Sequence, residues 1–264
     1  MALKQLLLGG VFDAPTSHNT SIDFNGVDER LENSTAQAIG IANTFSIMMW
    51  FRRRGDVNGL TLTNVPFEIS GAGTINQIQL QSSGGVANDP FIVRMHTPFP
   101  SSIHKDHRFN LPFFPFDVWH HALLTYDGPG NLLRMYENGV LVTPSLGSFS
   151  LLSIPPMDDV APQRQVIIGS SGSGAPFSGF VHSVAVWDTL VDSAVVELYN
   201  AGVASTFDLN AASFAGSLAH WWRLGFDPTD IGKDFAASGI TPLINVGQNS
   251  VNIDVSDISS NSPP

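Results

Sequence analysis

Residues 177–202 read FSGFVHSVAVWDTLVDSAVVELYNAG, and no other stretch constrains the fold as tightly. A glycine turn leads into an alternating strand from Phe180 to Trp187, which Trp187-Asp188 closes. One short helix is predicted next, from about Asp192 to Ala201, with Gly202 where a left-handed C-terminal cap would sit. Elsewhere short runs rich in Val, Ile, Phe and Trp are broken by 24 Gly and 17 Pro. That texture is all-β with many turns, and 264 residues suffice for one large β-domain plus extensions.

Other segments fit the same architecture in a consistent order. Ser21 to Gly26 reads as an opening strand and turn, Thr44 to Phe51 (TFSIMMWF) as an aromatic second strand. Trp119 to Gly128 (WHHALLTYDG) and Leu133 to Gly139 (LRMYENG) read as a central hairpin. Val166 to Gly169 and Ala219 to Leu224 (AHWWRL) flank the strand–helix segment. Taken together, residues 14–225 resemble the laminin-G-like and pentraxin-like domains of the concanavalin A-like lectin/glucanase superfamily. The resemblance implies an all-β fold, a two-sheet antiparallel jelly-roll sandwich with one short helix. It implies an architecture and not an activity, because the family is functionally broad.

Residues 1–13 are then expected to form an N-terminal arm and residues 226–264 a C-terminal extension, with an alternating strand at Val251 to Val255. Between them, residues 96–116 (HTPFPSSIHKDHRFNLPFFPF) read as a long loop, since proline at that density works against sheet pairing. Its phenylalanines need cover, either from the sandwich's own edge or from a neighbouring subunit. Phe99, Phe109, Phe113, Phe114 and Phe116 are the candidate interface residues. A second apolar loop is expected over residues 143–165.

Charged residues make up only 13% of the chain, against roughly 25% in ordinary globular domains, which suggests surface covered by partners. With a net charge of −11 and 12 Lys and Arg in all, the chain lacks the basic footprint of a nucleic-acid binder. Arg52-Arg53-Arg54 is the one basic run, read as charge protecting an edge strand or as an anion site. The absence of cysteine excludes disulfides and thiolate chemistry. No secretory signal or membrane span is expected, since the apolar run from Leu6 to Phe12 is short and broken by Gly9-Gly10.

No catalytic set emerges. The glucanase branch of the resembled superfamily carries carboxylates in a Glu-x-Asp-x-Glu spacing that places them on one sheet face. The five glutamates here, Glu29, Glu32, Glu68, Glu137 and Glu197, never stand in that spacing. Phosphate-loop, nucleophile-elbow and zinc-protease motifs are missing too.

The resemblance also implies calcium as a cofactor to consider. Asp127, Asn138 and Asp188 are the tentative oxygen ligands, each also explained as an ordinary turn residue. Where relatives often place an acidic pair, the chain has His182-Ser183, which argues against the ion. His104, Asp106 and His107 suit either a transition metal or a solvated loop, and His120-His121 read as structural.

Two functions are compatible with these features. One is a structural virion protein, a capsid decoration or a fibre or tail component, forming homo-oligomers and contacting other capsid or tail proteins, with adhesion to cell-surface glycans. The other is a calcium-dependent carbohydrate-binding module or lectin, extracellular or at a cell surface. A diverged hydrolase is the distant third.

Overall fold

The computed structural model describes residues 20–33, 41, 43–55, 64–71, 78–82, 91–96, 104–109, 115–130, 132–142, 164–171, 175–200, 208–212, 214–224, 226, 231–236, 243–245, 258–260 and 263. In chain order the strands are β1 (Ser21–Asn25), β2 (Leu31–Asn33), β3 (Thr44–Arg53), β4 (Asn64–Gly71), β5 (Ile78–Ser82), β6 (Phe91–His96), β7 (His104–Phe109) and β8 (His120–Asp127). Then come β9 (Leu132–Glu137), β10 (Val140–Val142), β11 (Arg164–Ile168) and β12 (Ser178–Trp187). A 3-10 turn at Asp192–Ala194 feeds helix α1 (Val195–Asn200), before β13 (Leu218–Arg223), β14 (Leu243–Asn245) and β15 (Ile258–Ser259).

All pairings are antiparallel and form two sheets. Sheet A runs β10-β9-β8-β3-β12-β1-β15, with β13 also on β12; sheet B runs β14-β2-β11-β4-β5-β6-β7. Strand β12 organises sheet A. One edge of it pairs along β3, while β1 takes Ser178 to Val181 on the other edge and β13 takes Ser183 to Trp187. A register shift between Val181 and Ser183 adds one residue, so that Val181 and Val184 both enter the same core despite their odd spacing.

Alternation along these strands builds two hydrophobic layers. Phe45, Ile47, Met49 and Phe51 of β3, with Ala122, Leu124 and Tyr126 of β8, face sheet B and meet Phe67, Ile69, Leu80 and Ile168. The opposite faces, with Met48, Leu123, Ala185, Trp187 and Trp221, lie under Val191, Val195, Leu198, Leu209 and Ala236. Among the described residues, residues 191–200 with Leu209, Phe214, Phe235 and Ala236 therefore form a third layer on the outside of sheet A.

Three expectations are corrected here. Strand β3 is flanked by β8 and β12, so Arg52 and Arg53 end a central strand and do not protect an edge. Residues 96–116 are not one loop, because His104–Phe109 pairs with β6 along its whole length; the prolines flank this stretch and none interrupts it. The sheets also continue past residue 225, for β14 joins β2 and β15 joins β1. The arm 1–13, the loop 143–163, Gly202 and Val251 to Val255 lie outside the described residues. No described helix is long and apolar enough to cross a membrane.

Under α1, His121 is buried against both the Trp50 and the Tyr199 rings, at 5.0 and 6.0 Å between centroids. Neither ring nitrogen has a hydrogen-bond partner among the described residues. Burial pushes its pKa down to about 3. Above about pH 6.5 both folded and unfolded chains hold a neutral imidazole, so the group leaves stability unchanged there. Below that value the unfolded chain takes up a proton that the folded one refuses. Each further unit of acidification then costs up to ~1.4 kcal/mol until the folded pKa is reached. We expect the melting temperature of wild type to fall more steeply between pH 6 and 4 than that of His121→Gln. Parallel pH profiles of the two would dispose of this assignment.

Candidate functional site

Among the described residues, the outer layer covers only part of sheet A. Trp50 is buried beneath it, its ring stacked 5.9 Å from that of Tyr199. Two residues further along β3, on the same face, the side chain of Arg52 is 29% exposed. At this open end a row of side chains crosses the strands. Asp23 of β1 pairs with Phe180 of β12, and Phe180 with Arg52 of β3. Because Phe51 pairs with His120, Trp119 enters the row beside Arg52. Four adjacent strands make a strip about 14 Å long.

Contacts within the strip fix its parts. The Trp119 and Phe180 rings are tilted together at 6.3 Å. The guanidinium carbons of Arg52 and Arg54 lie 5.6 and 4.7 Å from the Phe180 centroid, within cation–π range. Arg54 donates to the Asp23 carboxylate and to the Phe24 carbonyl, the latter at 3.4 Å. Arg52 Nη2 stands 4.0 Å from Asp117 Oδ1.

The lip of the strip is the turn Pro115 to Val118. Asp117 holds φ at +60°, a left-handed conformation uncommon for any residue but glycine. Two anchors stabilise that turn. The Asp117 N–H donates to the Arg53 carbonyl at 2.8 Å, and His120 Nε2 donates to the Pro115 carbonyl at 2.8 Å. Arg53 itself is buried, with its guanidinium 4.3 Å from the Phe116 ring centroid. Backbone strain of this kind clusters where a side chain must be held for function. What it holds here is an exposed carboxylate beside a half-buried tryptophan.

The three candidate calcium ligands do not form one site. Asp127 Oδ1 accepts from the Gly130 N–H at 3.0 Å, closing its own turn. Asn138 Oδ1 accepts from the His121 N–H at 2.9 Å, and its backbone occupies the positive-φ hairpin position. These two stand at opposite ends of the β8–β9 pair, about 20 Å apart at the strand rise. Asp188 is exposed beyond β12, at Asp127's end of sheet A but with β3 between them, about 10 Å away. A calcium ion holds its ligands at roughly 2.3–2.6 Å. Among the described residues no group of three His, Asp or Glu side chains could hold a metal.

Of the interface phenylalanines, Phe116 packs under Arg53 behind the lip. Phe99, Phe113, Phe114 and the side chain of Phe109 lie outside the described residues, as do the side chains of His104, Asp106 and His107. Sequence reading passed over Asp23, Asp117 and Phe180. The signal for Arg52 was available, since extending the β3 alternation by one step puts it on the face of Met48 and Trp50.

Two packed antiparallel sheets with a partly open outer face define a lectin-like β-sandwich. The chain belongs to the concanavalin A-like lectin/glucanases superfamily, in its laminin-G-like branch, whose family model matches residues 25–197. No curated protein matches the chain. Among solved structures, a candidate carbohydrate binding protein from Bacteroides ovatus superposes with a TM-score of 0.55 at 14% identity, covering 91% of this chain and 62% of that one. This chain thus spans less than two-thirds of the Bacteroides protein. A heptameric SAP-like pentraxin from Limulus polyphemus gives a TM-score of 0.47 at 13% identity, covering 70% and 82%. The CBM40 of a Ruminococcus gnavus sialidase, bound to sialyllactose, gives 0.44 at 11%, covering 69% and 99%.

Proposed function

We propose that the chain is a non-catalytic glycan-binding module whose contact surface is formed by Arg52, Trp119 and Asp117 over the buried Phe180 of the strip. The observation that carries this reading is Trp119, which sits half-buried against Phe180 on the open end of sheet A. An indole held in that way offers a flat face to the C–H side of a sugar ring, while Arg52 and Asp117 supply hydrogen-bonding groups beside it. Aromatic surface with a few convergent polar groups is the usual make-up of a small-ligand site. The Bacteroides protein's assignment to carbohydrate binding agrees with this reading, although at 14% identity the likeness speaks for the fold. Trp119→Ala should abolish retention on immobilised glycans while the chain stays folded. Retention equal to wild type would move the site elsewhere.

A second reading, a structural subunit of a viral particle, rests on the surface. Only 13% of the chain is charged. At the β10 end of sheet A, Val140 and Leu141 are 64% and 54% exposed. An edge strand with exposed apolar side chains is a template for association. In this reading capsid or tail subunits, including copies of the chain itself, cover that edge, and the glycan strip serves adhesion. Sedimentation of the full chain decides between an assembly and a monomeric module.

A further inference from the structure

The two half-buried arginines of the strip differ in how far they are satisfied. Arg54 is held by the Asp23 carboxylate and the Phe24 carbonyl. Arg52 makes no hydrogen bond among the described residues: its Nε is buried without a partner, and Nη2 is 4.0 Å from Asp117, past hydrogen-bond length. A guanidinium left this way, over an aromatic ring and next to a half-buried tryptophan, is suited to a planar anion. Its fork matches carboxylate geometry, and charge-assisted bonds of this kind are roughly twice as strong as neutral ones.

Resting on the glycan-binding reading, we propose that the strip selects saccharides that bear a carboxylate, with Arg52 as the carboxylate anchor and Trp119 as the platform for the sugar ring. Asp117 is the built-in competitor. Its carboxylate is 59% exposed and fixed near Arg52 by the left-handed turn, too far to saturate the guanidinium but close enough to neutralise it when no ligand is bound. Ligand carboxylate replaces Asp117 as the partner of Arg52. The chain's overall charge of −11 does not oppose this at short range, since charges beyond about 8–10 Å are largely screened at physiological salt.

The test is calorimetric titration of the full chain with two acidic sugars and their neutral counterparts. These are trigalacturonic acid against its methyl ester, and sialyllactose against lactose. At least one acidic sugar should bind about tenfold more tightly than its counterpart, equivalent to ~1.4 kcal/mol. Which acid binds tells uronate from sialylated sources. Arg52→Gln should bring the acidic sugar back to the neutral level with the melting temperature unchanged. Asp117→Asn keeps a residue that tolerates positive φ, and should tighten acidic binding alone.

If each acidic sugar binds no better than its counterpart, or if Arg52→Gln leaves the preference intact, the carboxylate proposal falls. Trp119-dependent retention on immobilised neutral glycans would leave the wider glycan reading standing in that case. If none of the four sugars binds and retention on glycans is also absent, both fall together.

Discussion

Trp187→Ala is expected to destabilise the fold by roughly 3–5 kcal/mol, whereas Trp119→Ala should cost only about 1–2 kcal/mol. Both tryptophans lie in or beside strands of sheet A, so the contrast comes from what covers them. Trp187 is fully buried in the outer layer, with Phe214 edge-on at 5.9 Å and Met48, Leu123 and Leu198 in the same cluster. Removing the indole there leaves a cavity between a sheet and a helix, neither of which can collapse far. Trp119 leaves part of its area in water already, and its loss opens no cavity. Its indole N–H aside, Trp187 packs as a hydrocarbon: Nε1 has no hydrogen-bond partner among the described residues, so Trp187→Phe should retain most of the stability. Denaturant midpoints with unchanged m values would measure all three. Equal losses at 119 and 187 would make Trp119 a core residue and remove the platform from the proposed glycan site.

Trp119 shows where sequence reading stops, since alternation alone would give it the same burial as Trp50 and Trp187. Alternation puts Trp119, His121 and Leu123 on one face of β8 and Ala122, Leu124 and Tyr126 on the other. The structure places Leu123 in the outer cluster and Ala122, Leu124 and Tyr126 in the inner one. What alternation cannot tell is how far the outer layer reaches over that face. Among the described residues the layer's edge falls between the Trp50–His121 row and the Arg52–Trp119 row, and that one row separates buried side chains from half-buried ones. Strands β3, β8 and β12 were legible as long, largely apolar runs, because they are central and both of their faces are buried. His104–Phe109 was not legible. HKDHRF is a polar run with no alternation, of the kind an edge position in sheet B can accept. The turn at Asp117 was equally hidden, because nothing local marks a left-handed aspartate that is set by the Arg53 carbonyl and by His120 from outside.

Deleting residues 226–264 is expected to remove cooperative folding, although the family pattern is complete by residue 225. The strongest reason is Asp234. Its buried carboxylate accepts from the backbone N–H groups of Trp221 and Ala236 at 2.9 and 3.0 Å, and lies 2.7 Å from His220 Nδ1. Asp234→Ala alone should cost about 2–4 kcal/mol, since buried polar groups that lose a partner keep their full desolvation penalty. Around it, the Phe235 N–H donates to the Trp221 carbonyl at 2.7 Å, and Phe226 lies 3.7 Å from the guanidinium carbon of Arg223, with Phe235 on another side. Burial lowers the Arg223 pKa to about 10, partly opposed by Asp208, so the group stays cationic at neutral pH and depends on those ring faces. Ala236 enters the outer core, while Ile231 and Ile258 pack on the inner one. Finally, β15 pairs with β1 and β14 with β2, so the deletion leaves both of those strands exposed along an edge. Losses of this size compare with the roughly 5–15 kcal/mol that hold a whole domain together. The measurement is thermal unfolding of the 1–225 fragment beside the full chain and Asp234→Ala. A fragment that melts cooperatively within a few degrees of the full chain would show that the extension only decorates a sandwich complete without it.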